Sequence, residues 1–146
     1  MTTTTTEIRE IKPKSFTRFF PPIARVLMGL LFLAFGIMGL FNLMSPPPNM
    51  PDAAKNYFEA LVKMGYMLKF ISGTEALVGA LLLVNRFVPL ALALIAPIIL
   101  NIVAYHIFIQ PSGFQPGAVV LFLELYLAWA YRKTFLPMLA PRTSPA

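Results

Sequence analysis

The chain has 146 residues, of which 58% are hydrophobic and 12% charged, with a mean hydropathy of +0.72. Soluble domains carry about 25% charged residues, so this composition excludes an ordinary water-soluble globule and points to one compact membrane domain, with no room for a separate soluble catalytic domain. The absence of cysteine excludes disulfides, thiolate metal sites and a CxxC redox pair, and the net charge of +6 lies at the flanks of apolar runs, which does not indicate a nucleic-acid partner.

Residues 1–20 open with a run of threonines and then carry Lys12, Lys14 and Arg18, a polar and basic stretch expected to be a disordered cytoplasmic tail. The apolar run after it is too long for the h-region of a signal peptide, and no small-residue cleavage site comes behind it. It is therefore read as a retained span. A four-span membrane domain is expected over residues 21–139, with spans at about 23–44, 66–85, 87–109 and 118–136, each near the ~20 residues that cross a bilayer. Runs of this length without strict alternation exclude a membrane barrel. The expected fold is all-α, an integral membrane four-helix bundle. Residues 140–146 form a short tail.

The connections carry further signals. Pro46, Pro47 and Pro48 are expected to stop the first helix. Asp52 reads as the N-cap of a short amphipathic helix between spans one and two, with Ala54, Tyr57, Phe58 and Leu61 on one face and Lys55, Glu59 and Lys63 on the other. Such a helix is expected in the membrane interface. Arg86 lies in a tight turn between spans two and three, and residues 110–117 form an uncharged, turn-rich loop. With four crossings, nine basic residues (Arg9, Lys12, Lys14, Arg18, Arg25, Arg86, Arg132, Lys133 and Arg142) fall on one side and three (Lys55, Lys63 and Lys69) on the other. The positive-inside rule then places both termini in the cytoplasm.

Polar residues sunk in these apolar runs mark the candidate site. At 1.5 Å per residue, Glu75 lies roughly 14 Å, Asn101 roughly 12 Å and Glu124 roughly 10 Å from the outer ends of their spans. His106 and Lys69 are shallower. A charged side chain at mid-bilayer costs about 2.5–3.5 kcal/mol on insertion scales, so intramembrane carboxyls mark either a functional pocket or a structural polar clamp. Glu75 shares a helix face with Ser72 and Gly79, Asn101 with Pro97 and Tyr105, and Glu124 with Ala128 and Tyr131. His106 is turned about 140° from Asn101 and is expected to face elsewhere. Glu75, Glu124, Asn101 and His106 are thus the ligand-binding or proton-relay candidates, with Ser72, Tyr105 and Lys69 in support. Ser72, Ala76 and Ala80 form a small-residue stripe suited to another helix, from a protein partner or a second copy.

Metal chemistry has little basis. A single histidine cannot supply bis-His haem ligation, and the Glu-x-x-His pairs of a di-iron bundle, zinc spacings, phosphate loops and nucleophile elbows are missing. No metal and no tightly bound cofactor are expected.

The run Glu75-Ala76-Leu77-Val78-Gly79-Ala80-Leu81-Leu82-Leu83, the basic turn at Arg86 and the Ala96-Pro97 step resemble the DoxX family of small four-helix membrane proteins. Tyr105-His106-Ile107-Phe108, Pro111-Ser112-Gly113 and the stretch from Glu124 to Arg132 resemble a DoxX-like subgroup. The resemblance spans residues 20–139. It implies a four-helix inner-membrane protein in the bilayer; some relatives are subunits of quinone-linked oxidoreductases, which suggests a membrane quinone as ligand, and others belong to membrane-associated redox and oxidative-stress complexes. It assigns no role to Glu75 or Glu124. Two expectations result: an accessory, quinone-binding subunit of a redox complex, more a non-catalytic subunit than an autonomous enzyme, or a non-enzymatic assembly protein or carrier of a small lipophilic molecule.

Overall fold

A computed structural model describes residues 19–44 and 48–139; residues 1–18 of the tail expected at 1–20, the tail expected at 140–146, and Ser45, Pro46 and Pro47 lie outside the described residues, while Phe20 already opens a helix. Every regular element among the described residues is helical: α1 (Phe20–Leu40), α2 (Asp52–Lys63), α3 (Met67–Leu83), α4 (Val88–Phe108), α5 (Phe114–Ala130) and the short α6 (Arg132–Phe135), with 3-10 turns at Pro111–Gly113 and Leu136–Leu139. Three segments, Phe20–Leu40, Val88–Phe108 and Pro111–Ala130, are long and apolar enough to cross a membrane. The pair α2 and α3, bent by 90° at its junction, makes a fourth if it is counted as one span.

The outer surface agrees with lipid as the solvent. Leu30, Phe35, Leu100, Phe122, Leu125 and Trp129 are all exposed, a density of apolar side chains that would drive aggregation in water. These features fit a multi-pass membrane protein.

Local backbone chemistry sets the helix ends. Helix α1 stops at Leu40, before the prolines expected to end it. Asn42 takes a left-handed conformation (φ 53°), its N–H bonds the Gly39 carbonyl (3.3 Å), and the Leu43 N–H bonds that of Met38 (2.8 Å). This Schellman arrangement satisfies carbonyls that a helix C-terminus leaves orphaned. Asn85 (φ 55°) repeats it at the end of α3, with Asn85 N–H on Leu82 O and Arg86 N–H on Leu81 O. Asp52 is the first residue of α2 and not its cap: Pro51 holds the N-cap position, and no side-chain cap bond is made. Helix α5 begins at Phe114, four residues before the expected start, and breaks at Tyr131.

Helices α1, α3, α4 and α5 pack around a ring, each touching its two neighbours, and the α1–α3 contact is the most extensive. The two helices run antiparallel, with Gly29 against Gly79 and Leu83, and Gly36 and Gly39 against Ser72 and Ala76. A Cβ on Gly36 would stand 2.7 Å from the Ser72 carbonyl oxygen and 2.8 Å from the Ala76 Cα; one on Gly79 would stand 2.7 Å from the Leu33 Cα. The backbones therefore touch. Ser72 and Ala76, expected to receive a partner helix, receive α1 of the same chain.

The core of Met28, Phe32, Val78, Leu82, Leu92, Ile95, Ile99 and Leu127 fills the half of the bundle nearest the α3–α4 turn. Arg25 is buried at that end, where its Nη1 donates to the carbonyls of Leu82 and Leu83 and so closes the last turn of α3. The opposite half is less filled.

Substituting Gly36→Val should lower stability against unfolding in mixed micelles by about 2 kcal/mol, since the inserted methyl groups meet backbone that cannot yield. Gly73→Ala, whose Cβ would meet only Leu40 Cδ2 at 3.9 Å, should change stability by less than about 0.5 kcal/mol. Equal losses in the two variants would show that the close approach at Gly36 carries no particular weight.

Candidate functional site

The less filled half of the bundle holds a cavity of about 790 Å³ between α2, α3 and α4. Its walls are mainly apolar, from residues such as Met44, Phe58, Leu61, Ile71, Leu94 and Ile98. Set among them are Ser72, Thr74 and Glu75 from α3, Asn101, Tyr105 and His106 from α4, and Tyr57 from α2. Both backbone turns that shape it are local. Pro97 interrupts the hydrogen-bond ladder of α4 on the cavity wall, and Gly65, at φ 73°, lets the chain bend from α2 into α3.

Helix α2 forms one wall of the cavity. Ala54 on its apolar face is fully buried, and Tyr57, Phe58 and Leu61 line the cavity; Lys55, Glu59 and Lys63 are exposed. The Tyr57 hydroxyl donates to Asn101 Oδ1 at 2.8 Å, and its ring meets that of Tyr105 at 5.2 Å between centroids. Tyr105 in turn donates to Gln110 Oε1 (2.7 Å) and stands edge-on to His106, with ring centroids 5.1 Å apart. His106 Nδ1 lies 2.7 Å from the Ile102 carbonyl oxygen. A carbonyl only accepts, so Nδ1 carries a proton and donates it to this bond.

Glu75 is half-buried on the cavity wall, and its carboxyl has no hydrogen-bond or ion-pair partner among the described residues. Ser72 is turned the other way: a Cβ on Gly39 would overlap its hydroxyl, which places that group against α1. Thr74 spends its hydroxyl on the carbonyl of Phe70 (2.9 Å), in its own helix.

Of the residues singled out in the sequence, Glu75, Asn101, His106, Ser72 and Tyr105 line this one cavity. His106 joins Asn101 there, against the angular expectation, because the face of α4 that lines the cavity is broad and takes in Ile102, the residue to whose carbonyl the imidazole reaches back. Glu124 and Lys69 are not among the lining residues. Glu124 is buried on α5, one turn from Leu127 of the core, and its Oε2 has no partner among the described residues. Lys69 is exposed on the first turn of α3. Sequence reasoning did not find Tyr57. The available signal was a hydroxyl on the apolar face of an amphipathic helix, where a bare hydrocarbon would serve an interface equally well.

No group of three or more His, Cys, Asp or Glu side chains able to hold a metal occurs among the described residues. The chain matches no protein-family model, and no similar curated protein or solved structure was found.

Tyr57→Phe removes the only side-chain hydrogen bond described between α2 and α4. Loss of about 1 kcal/mol should raise amide hydrogen exchange across α2 roughly five-fold, with α3 unchanged. A uniform rise over the whole bundle would show that this bond does not hold α2 in particular.

Proposed function

We propose that the chain is a four-span inner-membrane protein with both termini in the cytoplasm. In this reading it serves as an accessory subunit of a redox complex and binds a membrane quinone in the cavity beneath α2. The observation that carries the ligand reading is the cavity itself. Its volume of about 790 Å³ falls within the roughly 300–1,000 Å³ of small-molecule sites, and a few polar groups converge in apolar walls, as such sites require. The DoxX resemblance supplies the quinone and the redox complex.

The roles derive from the geometry. The Asn101 amide N–H, left free while its Oδ1 accepts from Tyr57, bonds a ligand oxygen. Glu75, without a protein partner, accepts the proton that accompanies ligand redox change. The rings of Tyr57 and Tyr105 flank the head group. Glu124, outside the cavity lining, is a structural residue of the α5 face. The carrier reading uses the same cavity, but no observation favours it over the quinone reading.

Native mass spectrometry after gentle extraction from the host membrane tests this directly. A retained quinone mass, or a stoichiometric oxidoreductase partner, is the expected outcome; the protein with phospholipid alone would sink the reading. In a titration of the purified protein, Asn101→Leu should weaken quinone binding about ten-fold, the effect of about one hydrogen bond to a desolvated group. Glu124→Gln should leave it within about two-fold, since its carboxyl touches no ligand.

A further inference from the structure

The cavity between α2, α3 and α4 combines one carboxyl with several aromatic rings. Glu75 has no hydrogen-bond or ion-pair partner among the described residues, and no described Lys or Arg lines the walls to neutralise it. Tyr57, Phe58, Phe70 and Tyr105 border the same volume. The rings of Tyr57 and Tyr105 are inclined by 44° with their centroids 5.2 Å apart, so they meet at an angle, as adjacent sides of an aromatic box do.

Both features ask for the same complement. A ring face attracts a cation through its quadrupole, most strongly where water is excluded, and aromatic boxes take quaternary ammonium groups for that reason. A carboxylate among apolar walls is costly without a counter-charge. An anion would meet neither need.

We infer that the cavity also binds lipophilic organic cations, with the positive centre held by Glu75 and the tyrosine rings and the apolar substituents against residues such as Leu94 and Ile98. The inference goes beyond the quinone reading: it needs the cavity, but neither a quinone nor a redox partner. The ring attraction is independent of the protonation of Glu75 and His106. A proton on Glu75 and a cation beside it are alternatives, because each neutralises the carboxylate. An imidazolium at His106 would repel the cation, so loss of its second proton favours binding too. Both groups act in one direction, and affinity rises with pH. Of the other titratable groups, Tyr57 of α2 and Tyr105 of α4 line the cavity, whereas Arg25 of α1, Lys69 of α3, Glu124 of α5 and the charged residues of α2 do not.

The test uses tetraphenylphosphonium and tetraphenylborate, ions of like shape and opposite charge. Each is equilibrated with the full chain in phosphatidylcholine nanodiscs, and uptake by empty nanodiscs is subtracted. Saturable binding of the phosphonium is expected, tighter as the pH is raised. Glu75→Gln should weaken it about ten-fold, the loss of one desolvated charge pair, without weakening any binding of the borate. Tyr105→Leu should weaken it about five-fold, whereas Tyr105→Phe, which keeps the ring, should stay within about two-fold. The circular dichroism melt of each variant reports whether it is folded, and the pH dependence of the unaltered chain stands without any variant. No saturable phosphonium binding, binding that weakens as the pH rises, or equal losses of both ions in folded Glu75→Gln would overturn the inference. A chain that retains a quinone yet takes no phosphonium would overturn this inference alone and leave the quinone reading in place.

Discussion

The structure depends on the backbone contact between α1 and α3. In lipid there is no hydrophobic force pressing one apolar helix against another, so association rests on close packing and on hydrogen bonds. Gly29, Gly36 and Gly39 on α1, facing Ser72, Ala76 and Gly79 on α3, remove the side chains that would hold the helices apart. The contact fixes the rotation of α3, and rotation decides which side chains reach the cavity. With Ser72 and Ala76 committed to α1, Glu75 is turned about 100° away from Ala76, towards α4 and the cavity. A shift of one residue in this register would bury the carboxyl against α1 instead.

In the opposite half of the bundle, packing is incomplete and polar groups are left to find partners. Those exposed to hydrocarbon cost several kcal/mol each, and Asn101 is an exposed polar side chain on a helix long enough to span. Helix α2 resolves part of that cost. Bent by 90° at Gly65, it brings the Tyr57 hydroxyl onto Asn101 and keeps Lys55, Glu59 and Lys63 outward. The helix that walls the cavity on one side thus also supplies one of its polar groups.

Much of the fold was legible in the sequence, because span length and apolar content are summed over some twenty residues and tolerate local error. The segments, the amphipathic α2 and its apolar face all lie close to where they were expected. The ends were less legible. Proline is a strong stop, yet Asn42 and Asn85 end α1 and α3 first, through a left-handed conformation that asparagine adopts readily but that its presence alone does not announce. Partner choice was legible only in part. The small residues of α3 marked a helix contact, but the matching glycines of α1, spaced at 29, 36 and 39, showed that the partner lay within the chain. Depth along a span placed Glu75, Asn101 and Glu124 at one level, whereas membership of one cavity depends on rotation and neighbour order. Those properties arise from tertiary packing, and Glu124 was grouped with Glu75 for want of them.

Two buried ionisable residues show how that packing separates structure from chemistry. Arg25 counts towards membrane topology in any tally of basic residues, yet it points inward and donates to the carbonyls of Leu82 and Leu83. There a cation meets the negative end of the α3 dipole and satisfies acceptors the helix has orphaned. Its partners are entirely within the protein. Glu124 is buried with an unpartnered oxygen and does not line the cavity. Glu75 also lacks a protein partner, but it borders open volume. Of the two carboxyls, it is therefore the one whose missing hydrogen bond a ligand can supply.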